Sequence, residues 1–491
     1  MSLKKRTLNP QSFLDYNAIK QRATELGVKE AHVGHLMFQV LHRGVPLHEL
    51  GEKSNCALPA RLIAAVQREF ALPTSKVVRQ DTSADGSTTK LVVELQDGNR
   101  VESVIMRYGA HELKNFPDDR DKRPSLRMGE RAFRSNPRAT VCVSSQVGCA
   151  MACTFCATGT MGLLANLTAG EILEQLYHAN QIEPIRNVVF MGMGEPLDNY
   201  DAVLEAIQGM VDVQRFSLKM ERVCVSTVGV VNRLRTLARD APGVSLALSL
   251  HAPTQELRQQ IVPTSKAWPL EKIMAAVDTY FADMAYLHST TKARCMIEYV
   301  LIAGVNDSLE NAETLGRLLQ GKPFHVNVIP YNPTNVKHNY ARPSRAHADA
   351  FCEKVREFGL MTILRQTMGD DVAGACGQLV LDVKKKEQAA AAGGGGGGGG
   401  CESASAAASS ASAAAAAPPQ PVAASSDIED IVAAPRRRTA VPAAAPTKKV
   451  VVPGQQPGRS PVVLVAIVVA LLGAFLVFRY AIEQMKTIYG V

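Results

Sequence analysis

Gly148-Cys149-Ala150-Met151-Ala152-Cys153-Thr154-Phe155-Cys156 is the stretch on which the reading of this chain turns. Its cysteines stand in the order Cys-x3-Cys-x2-Cys, close enough for one short loop to present three thiolates together. A [4Fe–4S] cube has four iron corners and takes thiolates as its usual protein ligands. Three of them leave one iron open to a ligand that is not protein. Two plainer readings stand beside this one. Structural zinc also takes Cys ligands, but it wants a fourth at fixed distance, usually from a second Cys or His pair, and none follows closely. Free cysteines are also often simply buried as small apolar side chains.

Outward from this loop, short β-branched runs alternate with helical stretches up to about residue 366. Strands are expected at 140–144, 187–191, 222–226, 245–250, 294–301 and 325–330. Six β/α units predict an α/β fold, a parallel and partial (β/α)6 barrel over 139–386, with reactive residues on loops at the C-terminal strand ends. The motifs fall on such loops. The cysteines follow the first strand, Gly192-Met193-Gly194-Glu195-Pro196 the second, Ser226-Thr227 the third, Ser249-Leu250-His251 the fourth and Asn332 the sixth.

Upstream, residues 1–75 show helical periodicity, as in Val33, Leu36, Met37, Val40 and Leu41, broken at Gly44, Pro46 and Pro59. They read as an N-terminal helical accessory domain. Over 76–138 the period changes to two, in Val77-Val78, Leu91-Val92-Val93 and Val101 to Ile105, with turns at Asp85-Gly86 and Asp97-Gly98. This is a β-meander, followed by a charged insertion.

Downstream, 387–461 collapses into Ala, Gly, Ser and Pro, including an unbroken glycine run from Gly393 to Gly400. That composition cannot bury enough apolar area to offset chain entropy and reads as a disordered tether. Residues 462–478, VVLVAIVVALLGAFLVF, follow. As a helix they would rise about 25 Å, against a hydrocarbon core of roughly 27–30 Å. A buried core helix is the alternative; the run is apolar on every face and stands apart from the globular part, which favours a transmembrane helix acting as a tail anchor. Arg436, Arg437, Arg438, Lys448, Lys449 and Arg459 precede it and Arg479 and Lys486 follow, so the heavier basic side, with the catalytic part, is expected to stay cytoplasmic.

The formal net charge is +8, of which +6 belongs to residues 1–386. The excess is compatible with RNA binding and equally with an ordinary solvated surface. Ten cysteines would suggest disulfides in a secreted chain, but no secretory apolar segment opens the sequence, and the cysteine loop argues for a reducing compartment. The basic start Met1 to Thr7 leaves an organellar destination open.

Read without their neighbours, the loop residues are ordinary. Gly192 and Gly194 allow close backbone approach, and Glu195 offers a carboxylate suited to an ammonium group; a lone Gly-x-Gly-Glu turn is more often just a loop. Ser226, Ser249 and Asn332 can donate to a sugar, a carboxylate or a base, or merely cap strand ends. His251 fits a satisfied core histidine as well as a ligand contact.

Taken in order, however, the segments resemble one known family. Cys142 to Cys149, the cysteine triplet, Met191-Gly-Met-Gly-Glu-Pro-Leu197, Val225-Ser-Thr227, Ser249-Leu-His-Ala-Pro253, Glu298-Tyr299, Gly304-Val-Asn306, Ile329-Pro-Tyr-Asn332 and Gly369 to Gln378 look like the RlmN branch of the radical S-adenosylmethionine (SAM) superfamily, over roughly residues 10–384. The resemblance implies methylation of carbon 2 of adenine in large-subunit ribosomal RNA and, in some members, transfer RNA. It implies a [4Fe–4S] cluster on Cys149, Cys153 and Cys156. It implies SAM held by Gly194, Glu195, Ser226, Ser249, Leu250, His251 and Asn332, and two SAM molecules per turnover.

Carbon 2 of adenine is electron-poor and carries an unacidic hydrogen, so it cannot attack an S-methyl group directly. In the family a first SAM methylates a loop cysteine, matching Cys376. A second, cleaved at the cluster, yields a 5′-deoxyadenosyl radical that takes hydrogen from this methyl, and the carbon radical adds to the base. A glutamate matching Glu102 accepts the adenine proton, and a second cysteine, matching Cys142, releases the product through a transient disulfide with Cys376. A flavodoxin- or ferredoxin-type electron donor is implied as partner. Strand alternation alone would turn Glu102 toward solvent. The sister branch that methylates carbon 8 is an alternative, as is a membrane-tethered iron–sulfur RNA-binding protein without turnover; the latter would have no need of Cys142 and Cys376. Cys224, Cys295, Cys352 and Cys56 read as packing residues and Cys401 as an incidental tail thiol. The stretch 108–137 is longer than the family's usual link, and its arginines suit either RNA phosphates or a solvated insertion. Tether and membrane segment are foreign to the family.

Overall fold

The computed structural model describes residues 6–51, 58–108, 138–287, 295–334 and 336–379. The chain divides into two units, Met1–Ala434 and Pro435–Val491. The second lies outside the described residues, as do the insertion at 109–137, the tether and the apolar segment 462–478. Among the described residues no helix is long and apolar enough to cross a membrane.

The strands, in chain order, are β1 Gln11–Ser12, β2 Phe70–Ala71, β3 Lys76–Thr82, β4 Thr88–Glu94, β5 Arg100–Tyr108, β6 Arg138–Cys142, β7 Gln146–Gly148, β8 Leu163–Asn166, β9 Ile185–Phe190, β10 Val223–Thr227, β11 Ser245–Ser249, β12 Cys295–Leu301, β13 Phe324–Pro330 and β14 Met361–Leu364. Ten of them form one sheet in the order β14-β13-β12-β11-β10-β9-β6-β5-β4-β3. From β6 to β14 every pairing in it is parallel, whereas β5, β4 and β3 add on antiparallel. The expected barrel of six parallel strands therefore carries a seventh, β14, and the meander continues the same sheet through β5 and β6. The sheet curls far enough for the Arg365 guanidinium, just past β14, to reach Met106 Sδ of β5 at 3.6 Å.

Expected strand ends shift by a residue or two. Ser144 does not extend β6, because its N–H turns to Gln175 Oε1 (2.8 Å) and its hydroxyl donates to the Glu102 carbonyl (2.7 Å). The helix Ala169–Asn180 opens with a reciprocal capping box between Thr168 and Glu171. Its buried Glu174 receives hydrogen bonds from Ser12, Thr74 and Ser75, and Arg6 grips Glu171 with two 2.7 Å contacts. These charge-assisted bonds fasten the helices Tyr16–Glu25, Ala31–Leu41 and Ala60–Glu69 to the barrel side of the fold.

Candidate active site

The cysteine loop leaves β7, bends through Ala152 at φ +52°, and returns along β8, which pairs antiparallel with β7. Beneath it the ends of β10 to β13 supply an apolar floor, with Val228, Val300, Ile302, Ile329 and Tyr331 packed around Met151 and Phe155; all three cysteines touch this cluster. The thiols remain partly accessible. Burial pushes Cys149 up to about 12 and raises Cys153 and Cys156 as well.

Such thiols stay protonated unless a cation meets them, the condition that cluster iron fulfils. Backbone N–H groups already point at the sulfurs, from Met151 to Cys149 (3.5 Å) and from Thr158 and Gly159 to Cys156. Among the described residues no group of three or more His, Cys, Asp and Glu is arranged to hold a single metal ion. Ligands of a cube bind separate corners and need not converge on one point. Three thiols on one loop suit three corners of a cube, whereas a closed zinc site takes four ligands.

Glu195 sits one loop away, 2% exposed. Its carboxylate accepts from the N–H groups of Val228 (2.9 Å) and Leu197 (3.0 Å), and burial raises it to about 7. Those contacts tie the ends of β9 and β10 together. The two glycines before it are needed for a contact within the chain: a Cβ on Gly192 would stand 2.7 Å from the Val143 carbonyl, and one on Gly194, at φ +101°, 2.6 Å from Gln146 Cβ. Gln146 Oε1 in turn accepts from the Glu195 N–H at 2.9 Å. Within the chain, both glycines make their close approach toward the segment following β6.

At the neighbouring strand ends Ser226 and Ser249 share a 3.2 Å hydroxyl contact. Leu250 is buried, and His251, at φ +61°, packs edge-on against Phe155 of the cysteine loop with centroids 4.9 Å apart. Burial lowers His251 to about 3, and its Nδ1 accepts from the Val300 N–H (3.2 Å), so it is a neutral ring of fixed orientation. Arg258, 1% exposed, clamps this corner by donating to the carbonyls of Leu250 (3.1 Å), Val228 (2.6 Å) and Ser249 (3.3 Å).

The Cys376 loop docks directly on the cysteine loop. Ala157 N–H donates to Gly377 O (2.9 Å), Thr158 Oγ1 to Leu379 O (2.7 Å) and Asn332 Nδ2 to Cys376 O (3.1 Å). Cys376 is exposed to solvent. Burial raises it to about 11, and Arg365 pulls the other way. Cys142, buried at the end of β6, is pushed up to about 12 by burial and by the nearby Cys376. Burial works against the charge of Arg365, but Tyr108, Glu298, Cys376 and Cys142 outweigh it.

Across the sheet, Lys90 of β4 pairs with Val104 of β5, and Val104 pairs with Cys142 of β6. Residues directly opposite share a face, and so do residues two apart, which puts Glu102 on the face of Cys142. Glu102 is 3% exposed. The expectation from strand alternation alone, a solvent-facing side chain, is corrected, because β5 is covered on both faces.

Residues 143–315 match the radical SAM superfamily. The chain is 41% identical over 334 residues to a probable dual-specificity RNA methyltransferase RlmN of Thermus thermophilus, covering 67% of this chain and 84% of that protein. It is 37% identical over 319 residues to the ribosomal RNA large subunit methyltransferase N of Nitrosopumilus maritimus, covering 64% of this chain and 83% of that one. The chain belongs to the RlmN family. A crystal structure of a radical SAM methyltransferase from Sphaerobacter thermophilus superposes with a TM-score of 0.62 at 34% identity, over 75% of this chain and 99% of that one.

For an RlmN-family protein the constellation is concentrated at one end of the sheet. Glu195, Ser226, Ser249, Leu250 and His251 stand at the strand ends near the cysteine triplet, and Asn332, after β13, holds the Cys376 carbonyl. Sequence reasoning passed over Arg258, Arg365 and Lys90. Each is a lone basic residue in a local pattern that reads as solvent-facing, and no spacing marks it.

Proposed function

We propose that this chain methylates carbon 2 of adenine in large-subunit ribosomal RNA, and transfer RNA as a second substrate, through an S-methyl group carried on Cys376. The observation that supports this reading best is the docking of the Cys376 loop on the cysteine loop through Ala157–Gly377 and Thr158–Leu379, with Cys142 close enough for the two thiols to influence each other. Cys149, Cys153 and Cys156 would hold a [4Fe–4S] cluster. Glu195, Ser226, Ser249, Leu250, His251, Asn332 and the Gly194 backbone would hold SAM, the buried carboxylate taking its ammonium. Bound there, such a cluster would supply the electron for reductive cleavage of SAM, drawn from a flavodoxin- or ferredoxin-type donor. Two SAM would be used per turnover, one as methyl donor to Cys376 and one as the source of the radical.

The chain's own residues do the rest. Arg365 opposes the burial that keeps the Cys376 thiol protonated, Glu102 accepts the proton from carbon 2, and the Cys142 thiolate attacks the Cys376 sulfur, so that an S–S bond forms while the S–CH2 bond to the base breaks and its electron pair takes up a proton to complete the product's methyl group. The 462–478 segment would hold the protein on a membrane with the catalytic part on the cytoplasmic side. Incubation of reconstituted protein with reductant, SAM and ribosomal RNA tests the activity. Nucleoside mass spectrometry should find 2-methyladenosine, absent with Cys376→Ala; 8-methyladenosine or no methyladenine would overturn the reading.

A further inference from the structure

The buried lysine beside Glu102 has no part in the reaction described so far. Lys90, on β4, is diagonal to Glu102 on the shared face, with Nζ 3.4 Å from Glu102 Oε1 and side-chain exposures of 9% and 4%. The same Nζ lies 3.4 Å from the carbonyl oxygen of Ala373, three residues before Cys376. Ala373 is held at φ +48°, in a turn whose Asp371 carboxylate accepts from the Ala84 N–H at 2.8 Å. The Glu102 main chain is fixed too, since its carbonyl accepts from Ser144 Oγ at 2.7 Å, two residues past Cys142. Burying an ammonium group costs several kcal/mol unless it is paired, so this lysine is seated where the carboxylate and the carbonyl compensate it.

We propose that Lys90 is a positioning residue with two coupled duties: it keeps Glu102 ionised as the proton acceptor, and it latches the Cys376 loop through Ala373. The inference rests on the function proposed above. When the C2–H bond of the RNA adduct breaks, its electron pair stays with the adduct and the proton passes to a Glu102 oxygen. The carboxylate is then neutral and no longer offsets the buried ammonium, whose hold on both partners changes together. Proton acceptance is thereby linked to the freedom of the Cys376 loop, which must yield its sulfur to Cys142.

Lys90→Gln removes the charge and keeps an N–H donor, whereas Lys90→Arg keeps the charge. The full chain, reconstituted and supplied with reductant, SAM and ribosomal RNA, is read in two ways, by peptide mass for methyl on Cys376 and by denaturing gel for RNA linked to protein. Lys90→Gln should still carry methyl on Cys376, accumulate linked RNA and form 2-methyladenosine at least roughly 10-fold more slowly; Lys90→Arg should restore release. Wild-type release by Lys90→Gln without linked RNA overturns the inference. So does loss of the Cys376 methyl, which would leave Lys90 a structural prop. Should Lys90→Gln not fold, Lys90→Met is read the same way. Wild-type protein runs in parallel: if it never methylates Cys376, the proposed function fails, and that result is separate from a wild-type protein that works beside indifferent Lys90 variants.

Discussion

On the proposed reading, the buried carboxylate of Glu195 would link stability to cofactor binding. Burial raises it from 4.5 to about 7, so its contribution to stability is fully present below about 4.5 and is lost as pH rises through about 7. At about 1.36 kcal/mol per unit the loss is on the order of 3 kcal/mol. The cofactor's ammonium needs the ionised form and would offset that loss. Chemical denaturation of ligand-free protein should therefore show stability falling between about pH 5 and pH 8, with a shallower fall in Glu195→Gln, and SAM should stabilise wild type more at the higher pH. A Glu195→Gln profile parallel to wild type would contradict this. Gly192→Ala should destabilise the fold by about 2–4 kcal/mol in the same assay, since its Cβ would meet the Val143 carbonyl at 2.7 Å. The cysteine triplet and the Gly-Met-Gly-Glu turn were legible because their spacing is unusual. Arg258 and Lys90 were not, because burial of a lone cation depends on carbonyls and carboxylates brought in from distant strands.

Among the elements, the loop carrying Cys376 depends on its docking, and Thr158 is the clearest handle. Thr158→Val keeps the shape and removes the 2.7 Å bond to Leu379 O, leaving that carbonyl short of a donor at a cost of about 1–3 kcal/mol. Methylation of Cys376, measured by peptide mass, should slow while the cluster's absorbance persists; loss of both together would show that Thr158 acts on the cysteine loop itself. The β-branched runs marked β6 and β9 to β13 to within about two residues. β14 escaped because Met361–Leu364 is only four residues long, too short for periodicity to separate from a helix end. The β7–β8 hairpin escaped for a related reason. Its strands are short, and its pairing is set by the loop between them.

For the whole molecule, alternation of strand and helix was enough to read a partial parallel barrel. That the meander extends the same sheet was not legible, because the pairing of β5 with β6 spans the long insertion at 109–137. No motif lies beyond Gln378. Truncation after Lys386 should accordingly release a folded, active enzyme into the soluble fraction, while the full chain should sediment with membranes; a soluble full-length protein or an unfolded truncation would remove the anchor from the account. The central claim, that Cys376 carries the methyl group to the base and Cys142 releases it, is tested most directly by isolating Cys142→Ala from cells, treating it with nuclease and running a denaturing gel. The account predicts nucleotide trapped on Cys376, absent when Cys376→Ala is added; normal turnover of Cys142→Ala with no trapped nucleotide would contradict it.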